Sequence, residues 1–105
     1  MDEQKYLESK FNELNCCVLI PTYNNDQTLE KVINSILALT NQVIIVNDGA
    51  TDSTLQILEK YPHLLVYSHS TNLGKGMSLR NGFQYALQKG YKNCITIDSD
   101  GQHKA

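Results

Sequence analysis

At 105 residues, with 41% apolar and 19% charged side chains, the chain has the size of one domain and enough apolar residues for a buried core. A net charge of −2 without a basic block argues against nucleic-acid binding, where clustered cations release counterions. No apolar run approaches the ~20 residues that span a bilayer, and the first ten residues lack the basic start and apolar middle of a signal peptide.

The first predicted element is a helix over residues 3–14, with Leu7, Phe11 and Leu14 at i, i+4 and i+7. "CCVLIP" (16–21) is a short apolar run stopped by Pro21, the pattern of a buried strand. Asn25 or Asp26 then caps a helix whose Leu29, Val32, Ile33, Ile36 and Leu37 share one face. "QVIIV" (42–46) is a second strand, leading into "NDGATD". Asp52 or a neighbour starts a short helix carrying Leu55 and Leu58, which Tyr61-Pro62 ends.

"LLVYSHS" (64–70) forms the third strand. After "TNLGKG" comes a helix with Leu79, Phe83, Ala86 and Leu87 on one stripe and Gly90 as its C-cap. "KNCITID" (92–98) is the fourth strand. "NDG" and "RNG" could each turn a hairpin, but helical periodicity overrides both. Strands alternating with amphipathic helices predict an α/β fold, a parallel sheet of about four strands with helices on both faces. Cys16, Cys17 and Cys94 read as buried thiols in a reducing compartment, which places the protein in the cytoplasm or at the cytoplasmic face of a membrane.

In such a sheet, ligands bind beyond the carboxyl ends of the strands. Polar segments gather at all four ends: "PTYNND", "NDGATD", "STNLGKG" and "DSDGQH". Asp98 and Asp100, at i and i+2, can point at one ligand, and adjacent carboxylates call for a cation. Their oxygens suit Mg²⁺ or Mn²⁺, with Gln102 as a further neutral oxygen; a solvated turn is the plainer alternative. Asp48 fits either a contact to a nucleotide's ribose or base or an Asx-turn before the helix. Tyr23 fits base stacking or rim packing. Gly74-Lys75-Gly76 completes no phosphate-binding motif and reads as a flexible turn. His63, His69 and His103 lack metal-ligand spacing, and Arg80 falls on a solvated helix face.

Together, "VLIPTYNN", "VIIVNDGATDST", "TNLGKGMSLRNGF" and "ITIDSDGQH" resemble the four successive signatures of the family 2 inverting glycosyltransferases, most of all enzymes of the dolichyl- or polyprenyl-phosphate mannose synthase kind. The resemblance covers roughly residues 16 to 104. It implies the nucleotide-binding half of a GT-A (Rossmann-like) fold and a UDP- or GDP-sugar as donor. By position, Pro21, Tyr23 and Asn25 line the nucleotide pocket, the Val46 backbone and Asp48 hold base and ribose, and Ser99 lies alongside the sugar nucleotide. Asp98, with its own contact to the donor, joins Asp100 and Gln102 in holding the divalent metal on the diphosphate. Many members carry Glu at the position of Asn25, so that contact loses its charge here.

The resemblance divides the chain into an N-terminal helix (1–15) and a nucleotide-sugar-binding part (16–105) that is expected to stop short of an acceptor-binding half. The catalytic base is expected in that further half, and the acceptor could be a polyprenyl phosphate at a membrane or a glycan. A piece of this kind is expected to bind donor without transferring sugar and, through its uncovered apolar edge, to form a homo-oligomer. The alternatives are a receiver-like signalling domain without enzymatic activity and a nucleotide-binding pseudoenzyme.

Overall fold

A computed structural model describes residues 3–99, apart from the side chain of Gln4. The elements are α1 (Glu3–Glu13), β1 (Cys16–Thr22), α2 (Leu29–Leu37), β2 (Val43–Asp48), α3 (Thr54–Leu58), β3 (Leu65–His69), α4 (Lys75–Gln88) and β4 (Asn93–Thr96). All strand pairs are parallel, in the order β3-β2-β1-β4. This order sets β1 between β2 and β4. A receiver-like domain would instead set β1 between β2 and β3, so that alternative falls here.

Every residue of β1 and β2 is buried, which explains why both strands read as continuous apolar runs without alternation. On one face Val18, Ile20, Val43 and Ile45 pack with Leu29, Val32, Ile33 and Ile36 of α2 and Ile57 and Leu58 of α3. On the other, Cys17, Leu19, Ile44 and Val46 meet Ala86 of α4. Each large aliphatic side chain buried in these layers contributes about 1.5–3 kcal/mol. Cys17 and Cys94 are register partners with sulfurs 3.4 Å apart. Burial, then the hydrogen bond with Cys94, pushes the Cys17 thiol up. All three cysteines are free, Cys94 being only partly buried.

Several expected boundaries and faces shift. β1 runs through Pro21 to Thr22. The Leu19 carbonyl accepts from Ile97 on the β4 side, so by alternation Pro21 also turns that way, one step past the end of β4. Its missing N–H therefore interrupts no ladder. The α2 helix begins after Thr28, not at Asn25 or Asp26, because a turn with the Asn25 carbonyl as acceptor comes first. Asp52 does start α3: its carboxylate accepts the Thr54 N–H at 2.9 Å, although Ser53 occupies the formal cap.

In α3 the buried residues are Thr54, Ile57 and Leu58, while Leu55 is exposed. Leu14 lies past the end of α1 and is exposed as well; Phe11 is the α1 residue packed on the core. The expected stripe of α4 holds at Ala86, which is buried, and at Leu79, which packs on the core, but not at Phe83 and Leu87, which are exposed; Ser78 and Gly82 face inward with Ala86. The cause is close approach of helix to sheet. A Cβ on Gly82 would lie 2.8 Å from a Leu19 methyl and 2.9 Å from a Val46 methyl, so small residues must occupy the contact.

Candidate functional site

Strand order reverses between β1 and β4, and a crevice opens where these two strands part. The last bond between them runs from the Ile97 N–H to the Leu19 carbonyl, 3.1 Å. Beyond it lies a cleft of about 240 Å³, lined by Pro21, Thr22, Tyr23, Asn25, Asp48, Asn72, Gly74, Lys75, Ser78, Asp98 and Ser99. Six residues singled out in the sequence, Pro21, Tyr23, Asn25, Asp48, Asp98 and Ser99, thus share one cavity. Val46 does not reach it. Its side chain is fully buried against α4, and its backbone lies in register with Pro21 and Tyr67. Asp100 and Gln102 lie outside the described residues, as does His103.

One wall is the β1–α2 loop. The Asn25 side-chain amide donates to Ser99 Oγ at 2.8 Å, and Ser99 Oγ–H donates to the Pro21 carbonyl at 3.1 Å. Thr28 Oγ1 donates to the Ser99 carbonyl at 2.6 Å. The uncharged amide at Asn25 therefore has a role of its own: it ties this loop to the end of β4. The same loop is fastened to the β2–α3 segment, where Asp26 Oδ2 accepts the Ser53 N–H and Asp52 Oδ2 accepts the Asp26 N–H.

Asp48 organises the opposite wall. Its side chain is only 4% exposed and accepts from His69 Nδ1 (2.8 Å), the Leu73 N–H (2.8 Å), the Gly74 N–H (2.9 Å) and Asn72 Nδ2 (3.0 Å). The Asn81 amide nitrogen is 2.9 Å from His69 Nε2 and donates to it, so the ring proton sits on Nδ1 and points at Asp48. Burial disfavours the Asp48 charge, but the hydrogen bond from His69 and those from Leu73 and Gly74 outweigh it and hold the carboxyl below the usual carboxylate range. The β3–α4 loop closes down on Gly49, whose φ is +71°.

Charge gathers at the mouth. Lys75 Nζ is 2.6 Å from Asp98 Oδ1, and both side chains are largely solvent-accessible. Tyr23 lines the same cleft and is 44% exposed. Two buried hydroxyls among the lining residues, Thr22 Oγ1 and Ser78 Oγ on opposite faces of the sheet, have no hydrogen-bond partner. An orphaned buried hydroxyl costs about 1–3 kcal/mol, so each is an open demand on whatever enters.

The sequence reading missed Asn72, Ser78 and His69, and it took Lys75 for part of a flexible turn. A serine on the inward stripe of a helix was the available signal for Ser78. Apolar periodicity, however, gives such a residue no weight. Among the described residues no group of three His, Cys, Asp or Glu side chains could hold a metal ion.

The model of the family "Glycosyl transferase family 2" matches residues 17–105. An uncharacterized glycosyltransferase of Mycoplasma pneumoniae is 49% identical over 91 residues, 79% of this chain and 30% of that protein. Polyprenol monophosphomannose synthase of Mycolicibacterium smegmatis is 30% identical over 93 residues, 82% of this chain and 35% of that one. Glucosyl-3-phosphoglycerate synthase from Mycobacterium tuberculosis, crystallised with Mn²⁺ and UDP-glucose, superimposes with a TM-score of 0.67 at 25% identity. That match covers 95% of this chain and 38% of the synthase. The chain spans less than half the length of the curated relatives it matches.

Proposed function

Because the chain belongs to glycosyl transferase family 2, a family of sugar-transferring enzymes, we propose that its cleft binds a nucleoside-diphosphate sugar, UDP- or GDP-linked, for inverting transfer to an acceptor. One observation carries this reading: residues from three separate segments, around Pro21–Asn25, at Asp48 and at Asp98–Ser99, line a single cavity at the point where strand order reverses. Its volume of about 240 Å³ lies below the roughly 300–1,000 Å³ of sites that enclose a whole ligand, so part of the donor extends over the open rim.

Within the cleft Tyr23 offers a ring face to the base. Asp48 acts through the loop it holds, setting Asn72, Gly74 and Lys75 in place. Lys75 puts positive charge at the mouth, where the diphosphate would lie. Asp98, half-exposed there, is the one proposed metal ligand among the described residues; with Asp100 and Gln102 it forms an all-oxygen set that fits Mg²⁺ or Mn²⁺. When bound, the ion supplies Lewis-acid neutralisation of the charge on the leaving diphosphate.

The polyprenol-phosphate relative supports a lipid phosphate as acceptor. A phosphate, being already ionised, needs no base to activate it. Among the described residues no helix is long and apolar enough to cross a membrane. The free thiols support a cytoplasmic setting.

Calorimetric titration of UDP, GDP and their sugars, with and without Mn²⁺, tests the donor. The expected result is binding that Mn²⁺ strengthens. Asp98→Ala should remove that gain, by at least the roughly 10- to 100-fold that loss of an outer-shell partner costs at metal sites. An undiminished Mn²⁺ effect in the variant rules out Asp98 as a ligand.

Among the described residues β4 is an edge strand, and with the exposed Phe83, Leu87 and Ile95 it supports self-association. Light scattering of the 105-residue chain at high concentration should report the mass of a dimer or more. A monomer mass there would refute it.

A further inference from the structure

Ser78 sits on the inward stripe of α4, one turn nearer the helix start than Gly82. Gly82 lies over Leu19 and Val46. A helical turn of 5.4 Å matches nearly two residues of strand, so Ser78 lies over the gap between Pro21 and Asp48, the floor of the cleft. It is 1% exposed, and its hydroxyl has no partner. The usual escape for a helical serine, a bond back to the carbonyl four residues earlier, is not used: the Gly74 carbonyl accepts the Ser78 backbone N–H at 3.0 Å.

Nearby groups are committed elsewhere. The two oxygens of Asp48 already receive four donors from the protein, as many as a carboxylate's roughly four lone-pair sites accommodate. Thr22 has the other orphaned hydroxyl. By alternation from Ile20, which packs against α2, its side chain points to the sheet face opposite α4. Charge also varies with depth: Lys75 and Asp98 are 62% and 42% exposed at the mouth, whereas Ser78 and Asp48 are buried and the Asp48 charge is already met by its four donors. A charged diphosphate is best solvated at the mouth, and a flat, uncharged heterocycle fits the floor.

We infer that Ser78 is a base-binding residue, its hydroxyl hydrogen-bonding the edge of the donor's nucleobase in the cleft floor. This rests on the donor reading above and adds to it the residue that meets the base.

The test is Ser78→Ala in the 105-residue chain, with UDP, GDP, uridine, guanosine and inorganic pyrophosphate titrated calorimetrically against both proteins. Affinity for the nucleotide that the wild type binds, and for its nucleoside, should fall about five- to tenfold, as expected for one hydrogen bond, with pyrophosphate binding unchanged. The thermal midpoint of the ligand-free variant should not fall, because no partner is left stranded. Equal nucleotide and nucleoside affinity in the two proteins would overturn the assignment and leave donor binding intact. So would a loss shared by pyrophosphate, or a lowered midpoint with unchanged affinity. If the wild type binds no nucleotide, the donor reading itself fails.

Discussion

Gly49→Ala is expected to destabilise the protein by about 3 kcal/mol or more and to disable the cleft with it. Two costs combine. The left-handed φ of +71° is strained for any residue with a Cβ, by roughly 1–2 kcal/mol. The added carbon would also lie 2.3 Å from the Thr71 carbonyl carbon and 2.5 Å from the Asn72 nitrogen. These are backbone atoms, so no rotamer change relieves the clash and the whole β3–α4 loop must retreat. Leu73 and Gly74 would then leave Asp48, and Asn72 would leave the cleft wall. In urea the unfolding midpoint should drop without a change in slope, and the melting temperature should fall by more than about 10 °C. A loss under 1 kcal/mol would mean that this loop is far more pliable than its packing indicates.

Asp48→Asn should have a comparable effect by a different route. An amide keeps one acceptor but turns an NH₂ group toward donors that the carboxylate now satisfies, the Gly74 N–H and Asn72 Nδ2 among them. Leaving these two buried donors unmet costs about 1–3 kcal/mol each. The substitution also changes the response to acid. The folded-state carboxyl of Asp48 lies below its ordinary value, so its contribution is fully present above the ordinary carboxylate range and is lost as pH falls through the lowered folded value. Wild-type stability should therefore decline below about pH 4, and the variant should lack that part of the decline. Chemical denaturation at pH 7 and at pH 3 measures both effects. Parallel pH profiles in the two proteins would remove Asp48 from the account.

The order of elements was legible because each helix has a periodic apolar face and each central strand a continuous apolar run. Position along the chain was less legible, for reasons that lie far away in sequence. Asn25 looked like the α2 cap, but its side chain is taken by Ser99, 74 residues later, and the helix starts beyond it. Phe83 and Leu87 looked like the inner face of α4 because periodicity weighs bulk, whereas this interface selects Ser78, Gly82 and Ala86 for smallness. The cleft itself followed from the rule for parallel sheets, which needs only the strand ends. The buried pairing of Asp48 with His69 did not, since neither residue carries any mark of its partner until β2 and β3 are in register.

Ser99 is a single peg on which the end of β4 hangs from the loop after β1, through Pro21, Asn25 and Thr28. Its neighbour Asp98 follows that peg along the backbone, while its carboxylate is drawn to 2.6 Å from Lys75 Nζ across the mouth. Whatever presses on Tyr23 and Asn25 thus also sets how the acid end is presented. The two ends of a donor would be gripped by one mechanical unit. By reciprocity, a cation that sharpens nucleotide binding must itself be held more tightly, by the same factor, once the nucleotide is seated.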